Sequence, residues 1–403
     1  MARRVVITSM GLVSSLGNTP EQILKNIEAD KVTFESCPFD ETVSVAPVHD
    51  FDLREYTGRF KNARYLNRGA SFSVAAAMAA INNSGLGKSD LEKTGLFTGA
   101  GPNLDFGGEI PEIDEGEMNT ERVQALFLLR FLPNTAASAI CALAGIHGEN
   151  SVIGTACSAS LQALGEGFRR IRDGYLDLAF AGGGDSRISP GGIAAYKKAG
   201  ALFTGSDDPA SEYAPFDKDR RGFIPGEGGG FFLLEELNRA QERGAHILCE
   251  VKGFGTSMDG FNMTAPCPDG KWTEKAVRSA LSQAALSPSA IDVVSSHGTG
   301  TPLNDAMEAE MLERIFGRNG PRVVGLKSWI GHLSAACGAT ELGISLAMMA
   351  GGFLPPIRNL SAPCNGNLDF VTKEKSFYFQ TMLLENFGFG GQNSALVIEK
   401  WRE

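Results

Sequence analysis

Three side chains in this 403-residue sequence have the type and setting for covalent chemistry: Cys157, His297 and His332. Cys157 lies in GTACSASLQALGEGF, where the β-branched NSVIG gives way to Leu161, Leu164 and Phe168 at helical spacing. A thiol at a helix N-terminus meets unpaired N–H groups and the positive end of the helix dipole, and both favour thiolate over thiol. His297, in VVSSHGTGTPLND, and His332, in VVGLKSWIGHLSAACG, each follow an apolar strand beside glycine, where α/β sites gather. An imidazole there exchanges protons near neutrality. Taken singly, Cys157 fits a small packing residue and each histidine a structural one. Together the three point to Cys–His nucleophilic catalysis.

Competing readings of the same residue types are weaker. No HxxxH or CxxC spacing occurs, so no metal is expected. Cys337, in SAACGATELG, reads as a packing residue inside a small-residue helix. GPRVVGLKS resembles a phosphate loop, but Leu326 separates the glycine from Lys327 and breaks the register. GEGGGFFLLEE leads into a strand, so it offers no helix start for a pyrophosphate.

The elements that must position these groups alternate. Short strands such as RRVVITSMG, TGLFTGAG, LDLAFAGGGD and GGGFFLLEEL interleave with helical stretches such as RGASFSVAAAMAAINNSG, which predicts an α/β protein of parallel strands covered by helices. Near Arg243 the pattern starts again: HILCEVKGFGTS echoes RRVVITSMGLVSS, and IDVVSSHGTGTP echoes KTGLFTGAGPN. These letters fit two related halves and also fit any α/β chain with glycine after its strands. A chain of this length exceeds one ordinary domain.

Composition bounds the function. Hydrophobic residues at 43% and charged residues at 21% describe a folded globular protein. A net charge of −10 with scattered lysine and arginine argues against nucleic acid as partner. LGISLAMMAGGFLPP is too short to span a membrane and reads as a buried helix. The start MARRVVITSMG lacks a secretory apolar region, and seven cysteines without a pairing pattern fit a reducing cytoplasm.

With these residues in view, the chain resembles the type II elongating β-ketoacyl-[acyl-carrier-protein] synthases, condensing enzymes of the thiolase fold. The resemblance runs nearly end to end, through VVITSMGLVSSLG, TACSASL, PFDKDRRGFIPGEGGG, HGTGTPLNDAMEAEML, GLKSWIGHLSAACGATE and NFGFGGQNSALV. It implies two duplicated α/β halves in five alternating layers, residues 1–243 carrying Cys157 and residues 244–403 carrying His297, Lys327 and His332. It implies that Cys157 takes an acyl group and that His297 and His332 promote decarboxylation of malonyl-carrier protein. Claisen condensation then gives a β-ketoacyl product two carbons longer in fatty acid biosynthesis, without a cofactor. Lys327 matches an active-site lysine and Glu341 a carboxylate beyond it. The N–H groups of Cys157 and Phe389 match an oxyanion hole, with Phe389 also gating the acyl chain, and Thr299 and Thr301 match pantetheine-binding positions.

The implied partner is acyl carrier protein, docking on a basic patch of Arg59, Lys61, Arg64 and Arg68. A homodimer is the family expectation. Two further readings stay open: a ketosynthase of a polyketide or aryl-polyene pathway working with a related subunit, and a non-catalytic chain-length partner, which would lack the cysteine. The acidic stretch across residues 103–121 departs most from the family and leaves chain-length preference open. Trp329 and Cys337 also depart from residues common in the motif.

Overall fold

A computed structural model describes residues 2–104, 125–373 and 375–402, with the backbone of 113–114 and 117–118. Eleven strands form one hydrogen-bonded sheet: β1 (Val5–Ser14), β2 (Gly95–Gly99), β3 (Asn150–Ile153), β4 (Leu178–Ser186), β5 (Glu227–Glu236), β6 (Cys249–Met258), β7 (Val293–Ser295), β8 (Arg322–Val324), β9 (Asp369–Phe370), β10 (Thr381–Gly388) and β11 (Gln392–Lys400). Their order is β9-β8-β7-β10-β11-β6-β1-β5-β4-β2-β3. Reading outward from the β1/β6 contact, each side follows the same chain order, first strand, fifth, fourth, second, third, with β9 added at one edge. The contact itself is narrow, pairing Val5–Ile7 antiparallel with Cys249–Val251.

The sheet is mixed where the strand pattern predicts parallel. The outer pairs β2–β3, β2–β4, β7–β8 and β7–β10 are parallel, while β4–β5, β5–β1, β6–β11 and β10–β11 are antiparallel. The reason is local at β10–β11: the Phe389–Gly391 connection is a tight turn, too short for the crossover a parallel pair requires. The expected apolar character survives, since β4, β5 and β10 are buried along nearly their whole lengths, as strands covered on both faces must be.

Four helices carry the layering: α1 (Arg68–Asn83), α2 (Ala159–Arg172), α3 (Lys271–Ala284) and α4 (Cys337–Gly351). α1 covers β1, β4 and β5 on one outer face, and α3 covers β6 and β11 on the other. α2 and α4 pack against each other and touch strands from both sides of the molecule, so they form the central layer. α4 is buried from Cys337 to Met349, all round its circumference, as a helix with no solvent face must be. No helix of the described residues is long and apolar enough to cross a membrane.

Candidate active site

Both central helices begin at the site. β3 ends at Ile153, and the chain turns through the 3-10 segment Ala156–Ser158 directly into α2. Two glycines permit this fit. A Cβ on Gly99 would meet the Ser160 nitrogen at 2.4 Å, and one on Gly388 would meet the Thr155 oxygen at 2.6 Å. Ala156 takes a φ of 48°, a left-handed conformation costly for alanine, and so sets the turn that presents Cys157.

Cys157 is 7% exposed, and the Phe389 N–H faces its sulfur. Burial pushes the thiol up to about 11, against the opposing pull of Lys327, the Phe389 N–H and Arg187. The helix start is present, but loss of water outweighs it.

His297 leaves the end of β7, where its own N–H and that of Gly298 donate to the buried Glu308 carboxylate at 2.6 and 2.8 Å. His332 is anchored by its N–H to the Ile224 carbonyl, 2.7 Å away. The two rings stand edge to face with centroids 5.7 Å apart. Ser334 N–H donates to His332 Nδ1 at 2.9 Å, so this nitrogen carries no proton and Nε2 does. The Asn386 amide approaches His297 Nδ1 at 3.5 Å, the outer limit of a hydrogen bond, in the same sense. Burial, then the Lys327 charge, holds His332 down to about 3 and His297 well below its ordinary value. Both imidazoles are therefore neutral N–H donors at neutral pH.

Lys327 is fully buried and donates to Glu341 at 2.5 Å, and Asn386 donates to the other Glu341 oxygen at 2.8 Å. Burial lowers the lysine, but Glu341, Cys337 and Glu308 more than offset it, and it stays charged. A chain from Lys327 through Glu341 and Asn386 to His297 results. Beside it, burial raises both Glu308 and Glu385, which face each other, so the two carboxyls do not both ionise at neutral pH.

Cys157, His297 and His332 share a chamber of roughly 70 Å³, walled by Tyr196, Phe223 and Phe387 and capped by Phe389. Thr299 and Thr301 line its mouth, their hydroxyls 2.9 Å apart. Phe389, 36% exposed, sits on the turn between β10 and β11. Cys337 is placed differently from its reading as a mid-helix packing residue. It is the first residue of α4, and its sulfur lies 3.6 Å from His332 Nδ1.

Arg59, Lys61 and Arg64 are exposed on the surface before α1. Arg68 is exposed with them, while its guanidinium also donates to the buried Glu227 through Nε at 2.8 Å and Nη2 at 2.5 Å. Most of the acidic 103–121 stretch lies outside the described residues.

Asn386, Glu308, Glu385 and Cys337 were not legible as site residues, because each reaches the site through tertiary packing. The polar ENFG ending of the otherwise apolar β10 is the one signal that could have drawn attention to Asn386 and Glu385. Among the described residues no group of three or more His, Cys, Asp or Glu side chains could hold a metal ion.

Comparison with known proteins agrees with this geometry. The profile described as "Beta-ketoacyl synthase, N-terminal domain" matches residues 2–240, and that described as "Beta-ketoacyl synthase, C-terminal domain" matches residues 248–361. The chain is 33% identical over 416 residues to 3-oxoacyl-[acyl-carrier-protein] synthase 2 of Vibrio cholerae, covering 99% of each chain. Among solved structures, a β-ketoacyl synthase from Burkholderia phymatum STM815 superposes with a TM-score of 0.91 at 29% identity, over 99% of this chain and 100% of that one. The ishigamide ketosynthase/chain length factor superposes with a TM-score of 0.88, also at 29% identity, over 100% of each.

Proposed function

Since the chain belongs to the β-ketoacyl synthase family, and is by that membership an acyltransferase of the 3-oxoacyl-acyl-carrier-protein synthase kind with a thiolase-like fold, we propose how its residues divide the reaction. The observation that carries this reading is the meeting of one thiol, one backbone N–H and two neutral imidazoles in a single chamber.

Cys157 attacks the thioester carbonyl of an acyl-carrier protein. Negative charge on the carbonyl oxygen is met by the N–H groups of Cys157 and Phe389, and the thiol proton leaves with the carrier's thiol. Malonyl-carrier protein then enters past Thr299 and Thr301, which hold its pantetheine arm. Its thioester oxygen accepts from the Nε2–H groups of His297 and His332. As carbon dioxide departs, the electron pair of the broken C–C bond forms an enolate on that oxygen. The enolate carbon attacks the acyl-Cys157 carbonyl, and the Cys157 sulfur leaves and takes up a proton. The product is a β-ketoacyl-carrier protein two carbons longer.

Lys327, Glu341 and Asn386 act through the imidazoles, fixing His297 and keeping it neutral. Arg59, Lys61, Arg64 and Arg68 form the docking patch for the acidic carrier, with Arg68 held in place by its pair with Glu227. The halves divide near residue 243, and the working unit is a cytoplasmic homodimer. Sedimentation showing only monomer at micromolar concentration would count against the dimer.

The test is mass spectrometry of the intact protein and its peptides after incubation with acyl-carrier proteins, then malonyl-carrier protein. The expected result is an acyl adduct on Cys157 that malonyl-carrier protein discharges. A folded protein that no donor acylates would sink the reading.

A further inference from the structure

One polar pair in the chamber wall takes no part in the bond-making steps above. Tyr196, on the helix Pro190–Lys198, lines the chamber, and its hydroxyl shares a hydrogen bond of 2.7 Å with Ser334 Oγ. The Tyr196 ring also stands edge to face with two other wall rings, Phe223 with centroids 5.1 Å apart and the cap Phe389 at 6.5 Å. Phe223 in turn packs on the His332 ring. Tyr196 therefore reaches His332 by two routes, one through packed rings and one through Ser334.

The second route bears on the chemistry. Ser334 is the residue whose N–H donates to His332 Nδ1 at 2.9 Å and so leaves the ring proton on Nε2. It presents that N–H from a left-handed backbone, φ 51°, which a serine keeps only where its surroundings impose it. Ser334 is 4% exposed, so its hydroxyl is out of water, and among the described residues its partner is the Tyr196 hydroxyl. A buried hydroxyl deprived of that partner would favour any rearrangement of the turn that found another.

A competitor for the ring proton lies on the other side. Cys337 Sγ is 3.6 Å from the same Nδ1. Once the Ser334 N–H swings away, Nδ1 can carry the proton and donate it to that sulfur, a weak acceptor. Nε2 then presents a lone pair rather than an N–H to the thioester oxygen of malonyl-carrier protein, and repels the enolate it should hold.

We propose that Tyr196 is a positioning residue that, through Ser334, locks His332 in the tautomer with its proton on Nε2, and so serves decarboxylation and condensation but not acylation of Cys157. The proposal rests on the synthase reading above and adds a residue to it.

Two variants test it from the two ends of the bond. Tyr196→Phe keeps the ring packing and removes only the hydroxyl, and Ser334→Ala removes its partner. Each should lower kcat for condensation with malonyl-carrier protein about tenfold, the scale of one buried hydrogen bond. KM for malonyl-carrier protein and the rate of Cys157 acylation, followed by intact-protein mass spectrometry, should each stay within about twofold. The double variant should lose no more than either single one, since both break the same bond. Histidine 15N spectra of the folded protein should show His332 Nδ1 partly protonated in each variant. Equal losses in acylation and condensation would leave the tyrosine a structural role only. An unchanged kcat, losses that multiply in the double variant, or an unaltered His332 tautomer would each overturn the proposal while leaving the synthase reading intact. The spectra need no substrate, so a protein that no donor acylates would remove the synthase reading while the tautomer still decides for or against the lock.

Discussion

Two cysteines stand at the starts of the two central helices, and comparing them shows what makes a nucleophile here. Cys157 lies in the 3-10 turn before α2 and Cys337 directly after the 3-10 turn Ser334–Ala336 that opens α4. Each turn holds a residue with left-handed backbone, Ala156 at φ 48° and Ser334 at φ 51°. Burial raises both thiols, Cys157 to about 11 and Cys337 well above its usual value. The difference is in access and partners: Cys157 opens on the chamber and meets the Phe389 N–H, whereas Cys337 is 0% exposed and faces a histidine nitrogen. A helix start alone activates neither.

The comparison is most strongly tested by exchanging each sulfur for oxygen. Cys157→Ser should lower condensation at least about ten-thousandfold, while Cys337→Ser should stay within about threefold; comparable losses, measured as product formed from malonyl-carrier protein, would break the distinction. Next comes Lys327, the largest pull toward thiolate on both sulfurs. Lys327→Met strands the buried Glu341 carboxylate and should cost about 3–5 kcal/mol in denaturant unfolding. Adding Glu341→Gln should restore most of that loss. If it does not, the pair is not what the lysine stabilises.

A smaller effect separates the thiols by pH. Iodoacetamide labelling of Cys157 should rise about tenfold per pH unit from neutrality and level off near 11, with Cys337 unlabelled over the same interval. Equal labelling in peptide maps would erase the contrast in access. The imidazole beside Cys337 contributes only as the pH falls below neutrality. His332 titrates at about 3 when folded and near 6.5 when unfolded, so the unfolded chain binds the extra proton between those values. Stability should fall by about 1.4 kcal/mol per pH unit as pH drops through that window. His332→Gln should flatten that part of the pH–stability curve; an unchanged slope would place the titration elsewhere.

Much of this site was readable in the sequence because its key groups sit at element boundaries. Cys157, His297 and His332 each follow a strand, and glycine marks each place. The repeated strand order also had a trace in the echoing segments on either side of Arg243. What stayed hidden is carried by tertiary contact. Nothing near Glu385 announces that it will face Glu308, which lies on another element, and nothing around Arg68 shows that Glu227 will claim it. The burial that opposes the thiolate at Cys157 was hidden for the same reason, since a helix start is visible in a sequence and the depth at which it is buried is not.

The chamber wall has one further consequence. Among the described residues its lining includes no lysine or arginine side chain, and Phe223 stands against the His332 ring with centroids 4.7 Å apart. Under the proposed function, a malonyl carboxylate entering this space would shed its water and touch no cation on the wall, the Lys327 charge acting only from outside the lining. Its departure as a neutral gas ends that penalty, so the architecture gives the reaction a direction: the charged reactant is the least comfortable species in the chamber, and the step that removes it is the one the walls do not help to reverse.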